Sequence, residues 1–180
     1  MNENANEIIP GFWIGNYKAA HDFNFLHDNN IQAIVNCTPD IPYISEMIEP
    51  EQLMILSPLD TYRISVYDSL KERDIRLMEM YLPLVIPWVY NQYIKKNKNV
   101  LVHCRAGKMR SGIVGLSFLY FMKNYAQRVK RFRHPNNGRV PSIGHTERQI
   151  TDHMLSKRPK IFGYGLRNNF RDSFLKFFGK

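Results

Sequence analysis

Cysteine is scarce in this chain. Its 180 residues hold two, Cys37 and Cys104, too few for a disulfide framework, and neither lies in a Cys/His cluster with the spacing of a structural zinc site. Long apolar runs are missing too. No uncharged apolar stretch reaches the roughly 18 residues of a membrane span, and the opening MNENANEIIPGF has neither a basic n-region nor an apolar h-region. No transmembrane segment and no secretion are therefore expected, and a reducing, cytoplasmic setting is. An acidic surplus is lacking: 16 Asp and Glu stand against 25 Lys and Arg, a net charge of +9. Such a balance attracts anionic partners, whether nucleic acid, acidic lipid or a phosphorylated substrate, without choosing among them. Repeats and low-complexity segments are absent as well, so the length and the 44% hydrophobic content suit one domain over residues 1–180.

What is present is an alternation of two patterns. Short runs rich in branched residues at Phe12 to Ile14, Ile31 to Val35, Leu53 to Leu56 and Val100 to Val102 predict buried strands. Between them, Tyr17 to Asp28 and much of Ile75 to Lys96 predict helices, the latter kinked or split by Pro83 and Pro87. Gly112 to Tyr125 is apolar nearly all round, the mark of a helix buried on most sides. Arg128 to Arg139 is strongly basic and contains the turn former Pro-Asn-Asn-Gly. Thr146 and Gln149 have capping-box spacing, which opens a helix through Met154. From about residue 157 the tail is basic and amphipathic, with Leu166, Phe170, Phe174, Leu175 and Phe178 on one face, read as core or a homodimer contact rather than a membrane-surface helix. The predicted fold is α/β, a central, mostly parallel twisted sheet flanked by helices on both faces.

The chemistry concentrates in VHCRAGKMRSG, residues 102 to 112. A buried strand ends at Cys104, a glycine-containing turn follows, and a helix begins near Arg110. Strand, turn and helix together aim backbone N–H groups and the positive helix end at one point, a site for a phosphate dianion. A cysteine at its base, near a helix N-terminus and cations, is favoured as the nucleophilic thiolate. Arg110 supplies a planar fork for two phosphoryl oxygens, which lysine cannot do. Gly107 permits positive φ, and the Ser111 hydroxyl can donate to the sulfur and make it a better leaving group. The competing reading of a lone cysteine, a small buried hydrophobe, does not account for His, Cys, Gly, Arg and Ser at these offsets.

His103 to Ser111 fills the pattern HCxxGxxR followed by Ser or Thr, and in this it resembles the cysteine-dependent protein tyrosine phosphatase superfamily. Residues 8 to 38, IIPGFWIGNYKAAHDFNFLHDNNIQAIVNCT, are similar to the opening of the small dual-specificity phosphatases, and residues 126 to 149 to their closing helices. The likeness covers about residues 8 to 155. Neither a WPD loop nor a deep phosphotyrosine clamp is found, so the compact vaccinia H1-like subgroup is the nearer match. The resemblance implies a phosphocysteine mechanism with no metal and no cofactor, acting on phosphotyrosine and phosphoserine or phosphothreonine of a protein substrate. The phosphate would be held by the loop His103, Arg105, Ala106, Gly107, Lys108, Met109 and Arg110, with Cys104 as nucleophile. His103 would orient the loop, although a histidine ending a buried strand is often a satisfied core residue.

Such a mechanism needs a carboxylic acid to protonate the departing oxygen and then deprotonate water. In the resembled family it is an aspartate after a short strand and before a helix. Asp68 fits, following Ile64-Ser65-Val66 and preceding Asp74-Ile75; Asp60 is the competitor, and Asp74 reads as a helix cap. Gln149 resembles a glutamine of the family's closing helix, but the capping box explains it equally well.

Arg105 and Lys108 fill variable positions and suggest a substrate with more than one negative charge. Phospholipid-directed members of the superfamily have similarly basic loops, which makes a phosphoinositide or other anionic phospholipid the alternative substrate. RNA 5′-triphosphatases usually show HCTHGxNRTG, which this loop lacks, so no nucleic acid is expected. A phospho-binding pseudophosphatase is disfavoured by the retention of Cys104, Arg110 and a candidate acid. Cys37 ends a strand expected beside Cys104. In some relatives a cysteine near this place forms a reversible disulfide with the nucleophile; a buried small residue is the plainer reading.

Overall fold

Four parallel strands and one antiparallel edge strand make the framework. The computed structural model describes residues 3–56, 58–69, 71–126, 141–162 and 170–180. β1 (Ala5–Ile9) turns back into β2 (Phe12–Asn16), which leads through α1 (Tyr17–Ala20) and α2 (Phe23–Asp28) to β3 (Ile31–Asn36). After α3 (Pro50–Ile55) and β4 (Asp60–Arg63), α4 (Glu72–Tyr90) returns the chain to β5 (Asn99–Cys104). α5 (Met109–Phe121), α6 (Glu147–Lys157) and α7 (Phe170–Phe177) follow. The strand order is β1-β2-β5-β3-β4, with β1 antiparallel to β2 and the remaining pairs parallel.

Both faces of the sheet are covered, as the mostly parallel pairing requires. Ile34 and Leu101 point to one side, against Ala20, Phe25, Leu26 and Ile44. Their neighbours Ala33, Val35, Val100 and Val102 point to the other, into the core shared with α4, α5, α6 and α7. The consequence for the site is positional. The C-terminal ends of β2, β5, β3 and β4 lie along one edge, where α/β sheets place their ligands.

Several elements depart from expectation for local reasons. Leu53 to Leu56 is not a strand: Pro50 opens a helix at its first position, and the fourth parallel strand is the polar Asp60–Arg63. The run Tyr17 to Asp28 is two helices, because the side chains of Asn16 and Asp22 cap separate N-termini. Pro83 and Pro87 do not split α4. They lie four residues apart on its exposed face, so the carbonyls left without a donor, those of Glu79 and Pro83, face water. Asp74 is not a helix cap; α4 begins at Glu72, and Asp74 sits within its first turn. The capping box at Thr146 and Gln149 is formed, and α6 runs on to Lys157.

The apolar stripe of the tail is core: Phe170 and Phe174 are buried, and Phe174 and Phe178 pack on Tyr120 at ring distances of 5.3 and 4.7 Å. Leu166 and the basic run Arg128 to Arg139 lie outside the described residues. Among the described residues no helix is long and apolar enough to cross a membrane.

Candidate active site

β5 delivers Cys104 to the sheet edge with its side chain fully buried. The turn Arg105–Lys108 then leads into α5, whose N-cap residue Lys108 makes no side-chain capping bond. Two carbonyls of this turn face outward. That of Arg105 accepts from the Tyr17 N–H at 3.4 Å, and that of Gly107 from Arg158 Nε at 2.8 Å. In a trans peptide the next N–H points the opposite way, so the N–H groups of Ala106 and Lys108 turn inward with those of the first turn of α5. Gly107 has φ +66, and a Cβ there would stand 2.6 Å from the Gly15 backbone and from an Arg158 nitrogen. No other residue fits.

Side chains complete the concavity. Cys104 Sγ and Ser111 Oγ are 3.3 Å apart and buried. Arg110 returns from α5, donates from Nη1 to the Val66 carbonyl at 2.8 Å, and places Nε 3.8 Å from an Asp68 oxygen. That Nε is buried without a hydrogen-bond partner among the described residues, so a donor remains on this edge of the guanidinium. His103 lies beneath, its pKa lowered to about 3 chiefly by burial, with His21 and the cations Arg63 and Arg110 adding to the effect. It is a neutral imidazole at physiological pH.

The two candidate aspartates separate in space. Asp60, at the start of β4, binds Lys98 at 2.9 Å and Lys96 at 3.3 Å, and the Lys98 hydrogen bond holds its pKa below the usual carboxylate value. Asp68 lies on the loop after β4, beside Arg110. Ile64 to Val66 is not a strand: β4 ends at Arg63, and the Val66 N–H donates to the Ile64 carbonyl at 2.9 Å, a tight turn that buries Ile64 and Val66 just beyond the sheet. Asp74 acts on this loop: its carboxylate accepts from the Tyr67 N–H at 3.3 Å and from the Ser69 hydroxyl.

The loop cations have different fates. Arg105 pairs with Asp40 at 2.9 Å on the β3 side, whereas Lys108 lines a pocket on the β2 side. Met109, partly buried, packs its side chain against the core. Cys37 leaves β3 next to Cys104, its N–H bonded to the His103 carbonyl at 2.8 Å; burial first, then the neighbouring Cys104, raises its pKa well above that of an ordinary thiol. Among the described residues no group of three or more His, Cys, Asp or Glu is placed to hold a metal ion.

Two contributors have no sequence signature. Arg158, 7% exposed, bonds Gly107 O, Asn6 Oδ1 at 2.6 Å and Glu3 O at 3.3 Å, joining the turn to the first strand. Arg63 bonds the carbonyls of Thr38 and Ile41 at 2.8 and 2.9 Å and lies over the Tyr43 ring, fixing the segment that carries Asp40.

The model of the dual-specificity phosphatase catalytic domain matches residues 12–152. The chain belongs to the dual-specificity phosphatase family. Dual specificity protein phosphatase 22 of Xenopus tropicalis is 25% identical over 125 residues, 69% of this chain. The chain spans about half, 52%, of that protein's length. The fold is similar to human DUSP28 (TM-score 0.66, 16% identity, 98% of this chain and 94% of that one). It is also similar to the human tyrosine phosphatase-like serine/threonine/tyrosine-interacting protein (TM-score 0.65, 18% identity, 99% and 97%). These two likenesses concern the fold.

Proposed function

We propose that the protein is a cysteine-dependent dual-specificity phosphatase that hydrolyses phosphotyrosine and phosphoserine or phosphothreonine in proteins. One observation carries the reading: the buried Cys104 sulfur lies at the N-terminus of α5, in contact with Ser111, while the buried Arg110 presents an unpartnered Nε beside Asp68. In the proposed reaction the Cys104 thiolate attacks phosphorus in line and forms a phosphocysteine. Asp68, as the acid, gives its proton to the departing oxygen. Arg110 and the inward N–H groups stabilise the charge that develops on the equatorial oxygens. Water then attacks the phosphocysteine, losing a proton to Asp68, while a hydrogen bond from Ser111 supports the departing sulfur.

The pairing of Asp60 with two lysines supports Asp68 over Asp60 as the acid. The pairing of Arg105 with Asp40 weakens the case for a phospholipid substrate, which rests on two free loop cations. A reducing cytosolic setting is proposed with this chemistry, because a thiolate nucleophile must stay reduced.

The test is hydrolysis of a generic aryl phosphate. Turnover insensitive to EDTA, blocked by vanadate and lost in Cys104→Ser with binding retained is expected. A Cys104→Ser protein of full activity would overturn the mechanism.

A further inference from the structure

α7 lies beyond residues 12–152, the span of the catalytic-domain match, yet it touches three helices of that domain. Phe174 and Phe178 pack on Tyr120 of α5, and Arg171 holds Glu147 at the start of α6 through two bonds of 2.8 and 3.2 Å. Phe170 and Phe174 are fully buried. Between them Ser173, also fully buried, turns its hydroxyl onto α4 and donates to the Ile75 carbonyl at 2.9 Å, across 98 positions of sequence.

That carbonyl belongs to the turn that holds the acid loop. Asp74, the residue before it, is 4% exposed, and its carboxylate accepts from the Tyr67 N–H and the Ser69 hydroxyl. The Ser69 oxygen in turn accepts from the Lys71 N–H at 3.2 Å. The turn has little hold of its own. Lys71, its N-cap, makes no side-chain capping bond, and the N–H groups of Asp74 and Ile75 share the Lys71 carbonyl at 3.0 and 3.2 Å. Helix ends of this kind fray unless a group outside the helix fixes them. A helical carbonyl accepts from the N–H four residues on and keeps a second lone pair. Ser173 fills it.

We propose that Ser173 is a positioning residue for the acid: it fixes the first turn of α4 against α7, so that Asp74 holds the loop of Asp68 at one distance from the phosphate loop. The proposal rests on the phosphatase reading for what Asp68 does, and on geometry for the link itself. α7 is braced on α5 and α6, and α5 begins at the phosphate loop and carries Arg110. Ser173 therefore sets the acid side of the cleft relative to the phosphate side. A displacement of about 1 Å at a reacting group is enough to slow the chemistry. The Arg110 bond to the Val66 carbonyl remains as a second tie, so removing the Ser173 hydroxyl loosens the loop without releasing it.

Ser173→Ala deletes one oxygen and leaves the apolar packing of Phe170 and Phe174 in place. Amide hydrogen exchange reads the link without turnover. The Tyr67 N–H should exchange about fivefold faster, the scale of one neutral hydrogen bond, while the amides of Val100 to Val102 in β5 stay within about twofold. Turnover of a phosphothreonyl peptide should fall by a similar factor and its high-pH limb should shift, whereas an aryl phosphate with a good leaving group should keep its rate. Ser173→Ala combined with Asp74→Ala should be no slower than Asp74→Ala alone, because both act along one path. Lys176→Gln, which breaks the exposed pair of α7 with Glu79, should alter none of these readings. An unchanged Tyr67 amide, a rise shared with β5, or an equal rise in Lys176→Gln overturns the proposal. So do equal losses on both substrates, or losses that multiply in the double variant. Absence of aryl phosphatase activity in the unmodified protein would refute the catalytic reading separately, and the exchange result would still decide the link.

Discussion

Arg110 reaches across 44 positions of sequence to donate from Nη1 to the backbone carbonyl of Val66. The proposed phosphate clamp is thereby tied to the segment carrying the proposed acid, two residues further on. Displacing either displaces the other.

Asp68→Asn removes the proton donor while keeping the shape of the loop. Turnover of an alkyl phosphate such as a phosphothreonyl peptide should fall by about 10²–10⁴-fold, the usual worth of general acid catalysis. An aryl phosphate with a good leaving group should suffer far less. Asp60→Asn, which only breaks pairs with Lys96 and Lys98, should keep both activities; the reverse pattern would reassign the acid.

Asp74 should behave as a positioning residue. Asp74→Ala frees the Tyr67 N–H and the Ser69 hydroxyl, so kcat should drop about tenfold while the affinity for vanadate is kept. The high-pH limb of the pH–rate profile, where the proton donor is lost, should move with it, which a merely less stable protein would not show.

His103 couples the site to stability. Its folded pKa is about 3, whereas an unfolded histidine titrates near 6.5. Between these values the unfolded state binds the extra proton, so stability rises with pH and is lost as pH falls from about 6.5 toward 3. The limiting slope is about 1.4 kcal/mol per pH unit. Urea midpoints measured from pH 7 to pH 4 should fall, and His103→Gln should flatten that part of the decline.

Cys37 should trap oxidised Cys104. Peroxide converts the Cys104 thiolate to a sulfenic acid; the Cys37 sulfur then attacks it, forming the S–S bond and releasing water. Because burial keeps Cys37 protonated at neutral pH, crosslinking should be slow at pH 7 and quicken as pH rises. Non-reducing peptide mapping reads the bond directly. Its absence throughout, or equal recovery of Cys37→Ser after thiol treatment, would show Cys37 to be packing alone.

Arg158→Ala should cost vanadate affinity about tenfold, since the Gly107 carbonyl loses its buried donor. Arg158→Lys, a single point charge, should recover part of the stability and little of that affinity.

How far the site was legible depended on the range of the interactions that form it. The path from β5 through the turn into α5 is local, written in an apolar run, a glycine and a nearly all-apolar helix, and its residues lie where that pattern puts them. The aspartate loop was legible as a candidate only, because Asp74 and Arg110 hold it through contacts that no spacing encodes. β4 was missed because Asp-Thr-Tyr-Arg is polar at a half-buried sheet edge, where alternation is weak. The prolines of α4 misled because their cost depends on whether the freed carbonyls meet water, a property of the folded surface. Arg158 looked like one more cation in a basic tail; its burial follows from acceptors on residues 3, 6 and 107.

That same arginine makes the beginning of the described chain part of the loop's foundation. Glu3 and Asn6 hold two of the guanidinium nitrogens whose third partner is Gly107. Cleaving, acylating or fusing a tag at the first few residues therefore acts at a distance on anion affinity. An assay of protein altered there would report a weakened enzyme although every residue of VHCRAGKMRSG was intact.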